Sequence, residues 1–169
     1  FAHIKLELKP ARWFEFNYFH GWLVSDVVDS SRSYQDGDNY REVMHSKFMA
    51  ANMFTFIPWK HLNISFGNSI VYSDIGVQAA YLVPFLFYKS VDHTLNSTNN
   101  YAGQNSQMFF DISSRNIKHL HLFFTLFVDE FSIGRVTNSR EHNFLGYKGG
   151  ARLSNWPLRD LSVLGELTY

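Results

Sequence analysis

Leu120-His121-Leu122-Phe123-Phe124-Thr125-Leu126-Phe127-Val128-Asp129 is the stretch on which the fold turns. In an extended chain successive side chains point to opposite sides. Leu120, Leu122, Phe124, Leu126 and Val128 therefore share one face, and His121, Phe123, Thr125, Phe127 and Asp129 share the other. The first face is wholly apolar and the second is mixed. A strand of about ten residues with one apolar face is also what a bilayer demands of a spanning β-strand.

The same alternation recurs outward from this stretch. In Phe1 to Lys9, Ile4, Leu6 and Leu8 oppose His3, Lys5 and Glu7. Met108, Phe110 and Ile112 oppose Gln107, Phe109 and Asp111, while Leu161, Val163 and Leu167 oppose Ser162, Leu164, Glu166 and Thr168. Trp13 to Val24, Ser46 to Ile57, Leu62 to Tyr72 and Asn143 to Leu153 alternate more loosely. Between paired arms lie four similar segments: Lys9-Pro10-Ala11-Arg12-Trp13, Pro58-Trp59-Lys60-His61-Leu62, Asn116-Ile117-Lys118-His119-Leu120 and Pro157-Leu158-Arg159-Asp160-Leu161. Each sets Pro or Asn ahead of a basic residue, after which an apolar residue opens an alternating run, the chemistry of a tight turn. Eight strands in four hairpins are expected.

The connections between hairpins are long and polar: Ser25 to Met44, Ser73 to Gly103 and Ser132 to His142. Short turns at one end and long loops at the other is the asymmetry of outer-membrane barrels. The second connection is unusually apolar around Tyr81, Pro84, Phe85 and Tyr88. A short helix from about Pro84 is expected there, since proline suits a first helical turn. The segment is expected to fold back against the barrel mouth or into its lumen, burying Tyr81, Phe85 and Tyr88, because three such side chains in water would form a large apolar patch.

Composition agrees with strands. Aromatic residues make up 18% of the 169 positions, and aromatic side chains suit a pleated surface better than a helical bundle. Fifteen basic and fifteen acidic residues cancel, which leaves no electrostatic footprint for nucleic acid. Cysteine is absent, so disulfides, thiolate metal sites and cysteine nucleophiles are excluded together. No run of about 18 apolar residues offers a transmembrane helix. The chain opens at Phe1 already in a strand, so residues 1–169 are expected to be one domain within a larger barrel, partnered by outer-membrane lipid and by remaining strands of the same chain.

The expected fold is thus all-β: a segment of an antiparallel up-and-down transmembrane β-barrel in a bacterial outer membrane. A soluble lipocalin-like ligand-binding barrel has similar alternation and length. Arms of about ten residues, the unequal connections, and aromatics near strand ends (Trp13, Trp22, Trp59, Tyr72, Trp156, Tyr169) favour the membrane barrel.

Between Ser73 and Phe131 the chain resembles the Wzi family of outer-membrane capsule-assembly proteins and its relatives in Bacteroidota. The likeness is carried by Tyr81-Leu82, Pro84-Phe85, Tyr88, Asp92-His93, Asn99-Asn100 and Asp129-Glu130-Phe131. It covers about a third of the chain. Val83 and Asn99-Asn100 depart from the Asn and the Asp-Asn pair that relatives often carry there. The resemblance implies a barrel of about eighteen strands that helps hold capsular or surface polysaccharide at the cell, with Tyr81, Pro84, Phe85, Tyr88, Asp92, His93, Asp129 and Glu130 as family-motif residues. A channel or porin-like protein of the same architecture is the alternative function.

Candidate sites follow from residue chemistry. Lys5, Glu7, Glu15, Asp111, Asp129, Lys148, Arg152 and Glu166 are expected on the non-lipid face, either lining a pore or, the reading preferred here, forming a ladder of ion pairs and hydrogen bonds inside a closed lumen. His119 and His121 share a face but lack further ligands, and Asp36-Gly37-Asp38-Asn39 lacks the later Glu of a calcium loop. His93 beside Asp92 has no nucleophile motif, and Gly149-Gly150 lacks the residues of a phosphate loop. No catalytic residue, metal or cofactor is expected. Sugars are held by aromatic faces and by amide or carboxylate groups at hydroxyls, for which Tyr34, Asn39, Tyr40, Asn99, Asn100, Tyr101 and Gln104 are the candidates.

Overall fold

A computed structural model describes residues 2–74, 76–96, 104–129 and 144–169. In chain order the strands are β1 (His3–Ala11), β2 (Phe14–Leu23), β3 (Tyr34–Asp36), β4 (Asn39–Arg41), β5 (Lys47–Trp59), β6 (Leu62–Ser73), β7 (Asn105–Ser114), β8 (Leu120–Asp129), β9 (Phe144–Ser154) and β10 (Ser162–Thr168). Eight of them form one antiparallel sheet in the order β1-β2-β5-β6-β7-β8-β9-β10, and β3 with β4 makes a separate small hairpin. The sheet is up-and-down and is not closed, since β1 and β10 are its two edges. No described helix is long and apolar enough to cross a membrane.

Register turns the alternation of single strands into two faces of a sheet. One row of facing residues runs Glu15, Thr55, Ser65, Asp111, Thr125, Lys148 and Thr168. One residue along each strand, the row becomes Phe14, Phe56, Ile64, Ile112, Phe124, Gly149 and Leu167. A slip of one residue at any pairing would drive polar groups into the apolar row, so the pattern itself holds the register. Aromatic pairs across strands add to this, with ring centroids 5.2 Å apart for Phe14 and Phe56 and for Phe54 and Phe66. Such pairs contribute about 0.5–1.5 kcal/mol beyond area burial.

The four similar segments all lie at the turn end of the sheet. In three of them the residue after the basic one is left-handed: His61 (φ 67°), His119 (φ 67°) and Asp160 (φ 65°). His and Asp tolerate that conformation better than branched or bulky residues do. Trp13, Trp59 and Trp156 are all exposed at this end.

The segment from Gly76 to Asn96 differs from expectation in two ways. A 3-10 turn, Ala79–Leu82, precedes helix α1, which begins at Tyr88 and runs to Asn96 rather than starting near Pro84. The carbonyls of Pro84 and Leu86 both accept from Asn52 Nδ2 (2.9 and 2.8 Å), so they face the sheet and cannot open a helix. Asn68 Oδ1 instead accepts from Tyr88 N (2.9 Å), satisfying a free donor of the first helical turn. The second difference is the exposure of Phe85. The segment covers the apolar side of the sheet, where Phe16, Tyr18, Phe48, Ala50, Ile70, Tyr72, Tyr81 and Tyr88 make the core. Tyr81 and Tyr88 are fully buried, but Phe85 is 58% exposed while stacking on Phe16 at 4.5 Å.

Candidate functional site

Three places gather the residues that chemistry singled out, and the first is the connection between β2 and β5. Asp29 accepts from Ser31 N (2.9 Å), Arg32 N (3.2 Å), the Ser31 hydroxyl and the Arg32 guanidinium. Arg32 also reaches Asp74 Oδ1 (3.4 Å), which pairs with His45 Nδ1 at 2.7 Å. The knot ties this connection to the end of β6. Asp29, His45 and Asp74 bring ligand atoms within 4.8 Å of one another, but the Arg32 guanidinium bonds both carboxylates and takes the place a cation would fill.

The Ser31 hydroxyl and then the Arg32 guanidinium hold the Asp29 carboxyl far below the ordinary carboxylate range. A depressed folded-state pKa gives stability that is complete above the unfolded value, about 4, and is lost as pH falls through the folded one. Pepsin should therefore leave the 25–44 connection intact at pH 4 and cut it progressively toward pH 2, with Asp29→Asn already cut at pH 4. Equal cleavage of both proteins at pH 4 would remove Asp29 as the latch.

The knot supports the β3–β4 hairpin, which carries three of the sugar-binding candidates. Tyr34, Asn39 and Tyr40 are all exposed, and Tyr34 faces Arg41 while Gln35 faces Tyr40. Adjacent pairs of a ribbon point to opposite sides, so Tyr34 and Tyr40 cannot form one stacking platform. Tyr34 shares its side with Asp36, Asn39 and Arg41, whose guanidinium lies 3.4 Å from the Asp36 carboxylate. Gln104 is not part of this group, because its side-chain carbonyl accepts from the Tyr81 hydroxyl (2.9 Å). Asn99, Asn100, Tyr101 and Glu130 lie outside the described residues.

The family-motif residues Tyr81, Pro84, Phe85 and Tyr88 belong to the segment on the apolar face, and the Asp92 carboxylate interacts with the Tyr81 hydroxyl. They are structural in this arrangement: each either packs on strand side chains or presents a carbonyl to one. His93 is exposed on α1, and Asp129 ends β8 far along the sheet.

The third place is a cleft of about 400 Å³ on the polar face that spans β7 to β10. Thr125 Oγ1 donates to Asp111 Oδ2 (2.8 Å), and Lys148 pairs with Glu166 (3.1 Å) while lying 5.9 Å from the Phe123 ring centre. Of the residues expected in the ladder, Lys148 and Glu166 form an ion pair, and Asp111 bonds a threonine. Arg152, also expected in the ladder, and Arg115 line the same cleft with no carboxylate in ion-pair range among the described residues. Arg115 was missed by sequence reasoning because it follows the strand; its signal was the two-residue spacing from Asp111 and Ser113. Ser113 Oγ lies 2.8 Å from His121 Nε2, but among the described residues no carboxylate bonds the other ring nitrogen to orient it as a base. His119 is held separately, its Nδ1 at 2.9 Å from the Ser154 carbonyl, so the two histidines do not converge. The cleft can hold an anion or sugar hydroxyls through charge-assisted hydrogen bonds. No protein-family model, curated protein or solved structure matches this chain.

Proposed function

We propose that this chain is part of the wall of a transmembrane β-barrel in a bacterial outer membrane, and that the barrel is a non-catalytic one that retains surface polysaccharide at the cell. The observation that carries the first half is the pair of adjacent rows, one apolar and one polar, across the sheet. Strands of about ten residues at 3.3 Å each, tilted by roughly 40°, rise about 25 Å, the height of the apolar band of such barrels. The exposed tryptophans at the turn end suit an interfacial girdle. The polysaccharide role draws on the likeness to Wzi proteins and on the exposed β3–β4 hairpin.

Deleting the full-length gene should leave polysaccharide synthesis running while the shed fraction rises severalfold and the cell-associated fraction falls. Tyr34→Ala with Asn39→Ala should reproduce part of that release, whereas Tyr40→Ala, on the other side of the ribbon, should act separately. Unchanged retention in the deletion strain would rule out polysaccharide attachment. Arg115 and Arg152 of the polar cleft, with no carboxylate in ion-pair range among the described residues, favour a second reading, an aqueous channel, which would show as ion conduction when the intact protein is inserted into a planar bilayer.

A further inference from the structure

The segment on the apolar face is inside-out. It leaves the loop end of the sheet at Gln78, whose N–H meets the Tyr72 hydroxyl (3.4 Å), and descends past Tyr81, whose carbonyl accepts from Tyr18 (3.0 Å). Its lowest part is Pro84-Phe85-Leu86, set on the facing pair Asn52 and Asn68 and on Phe16, which pairs with Phe54 two residues farther toward the turn end. It then climbs through Tyr88 into α1. Asn52 lies near the middle of β5, so the apex of the segment reaches mid-height of the strands.

Polarity along this path is reversed from that of a loop in water. The carbonyls of Tyr81, Pro84 and Leu86 turn inward and are bonded by strand side chains. Outward the segment shows Val77, Leu82, Val83, Phe85 and Phe87, all exposed, and residues 76–88 contain no charged side chain. Charge returns at Lys89, and the outward residues of α1 are polar: Ser90, His93 and Thr94. Non-helical backbone survives at membrane depth only where protein satisfies its polar groups, and Tyr18 and Asn52 bond three of the carbonyls here.

We infer that residues 76–88 form a re-entrant segment on the outside of the barrel wall, whose apex is in contact with lipid acyl chains and whose following helix lies at the water boundary. This rests on the reading of the apolar face as the lipid face. Acyl chains are the committed occupant because the exposed surface is apolar and uncharged and continues the exposed apolar row of Phe66 and Phe110 beside it.

Residues 1–169 contain no cysteine, so single nitroxide labels can be placed cleanly in the full-length protein after any cysteines elsewhere are replaced. In phosphatidylcholine–phosphatidylglycerol vesicles, labels at Phe85→Cys and, independently, Val83→Cys should be relaxed by oxygen and hardly at all by a water-soluble nickel chelate. A label at His93→Cys should show the reverse. Nickel access at both 83 and 85 would place the segment in water and overturn the inference. Protection from both reagents would mean a protein cover, and would overturn it equally. A label at Phe124→Cys separates the two levels: lipid exposure there with failure at 83 and 85 removes only the re-entrant segment, whereas nickel access at 124 removes the membrane-wall reading itself.

Discussion

Arginine in place of Phe124 should lower the stability of the bilayer-folded protein by about 2–4 kcal/mol, the cost of a cationic side chain at the midplane of an outer-membrane barrel. Phe124 stands in mid-strand on the apolar face, between Ile112 of β7 and Gly149 of β9, and is 41% exposed. On the proposed lipid face a guanidinium has neither water nor a carboxylate to meet. Thr125 is one residue away but points to the polar face, where its hydroxyl already bonds Asp111. Thr125→Arg should cost far less, because Asp111 and the polar cleft can receive the charge. Urea titrations of both variants refolded into vesicles measure the difference, and equal costs at the two positions would defeat the assignment of faces.

Asn52→Leu should have the second large effect, despite preserving side-chain volume. The Asn52 amide donates to the Pro84 and Leu86 carbonyls, and its carbonyl accepts from Asn68 Nδ2 at 2.7 Å. Leucine leaves the buried Asn68 amide and two half-buried carbonyls unpaired, at about 1–3 kcal/mol for each group that stays out of water. The segment can avoid part of that cost only by leaving the sheet, so the expected result is release of residues 76–96 ahead of the strands. Faster protease cleavage between Leu82 and Leu86, with the sheet signal in far-UV circular dichroism retained, is the measurement. Asn17→Leu on the polar face is the control, expected within about 0.5 kcal/mol of the parent. If cleavage of the segment were unchanged in Asn52→Leu, the amide would not be what anchors it.

The two substitutions test different ranges of interaction, and that division also separates what was legible in the residues from what was not. The eight strands, their faces and the turn positions all follow from local rules: a period of two in stretches such as 120–129, and basic residues followed by His61, His119 or Asp160 in the left-handed region. The apolar character of 79–93 was equally visible, and with it the need for cover.

Which surface supplied that cover was not visible, because the partners are distant in the chain. Asn52 and Asn68 read in sequence as ordinary polar residues within strands. Only pairing of β5 with β6 sets them face to face, where Asn68 holds Asn52 and Asn52 takes the carbonyls that would otherwise have started a helix at Pro84. Register alone put Tyr34 and Tyr40 on opposite sides of a ribbon, and the course of the segment gave Gln104 to Tyr81. The cleft holding Arg115 and Arg152 likewise needs four strands side by side. By itself the sequence determined the eight strands of the main sheet, their two faces and their turns, though not the β3–β4 hairpin, because side-chain alternation and turn conformation act over a few residues. The side of the sheet that carries the folded-back segment, and the grouping of the polar residues, were decided only by tertiary structure, because buried carbonyls must find donors wherever the fold brings them.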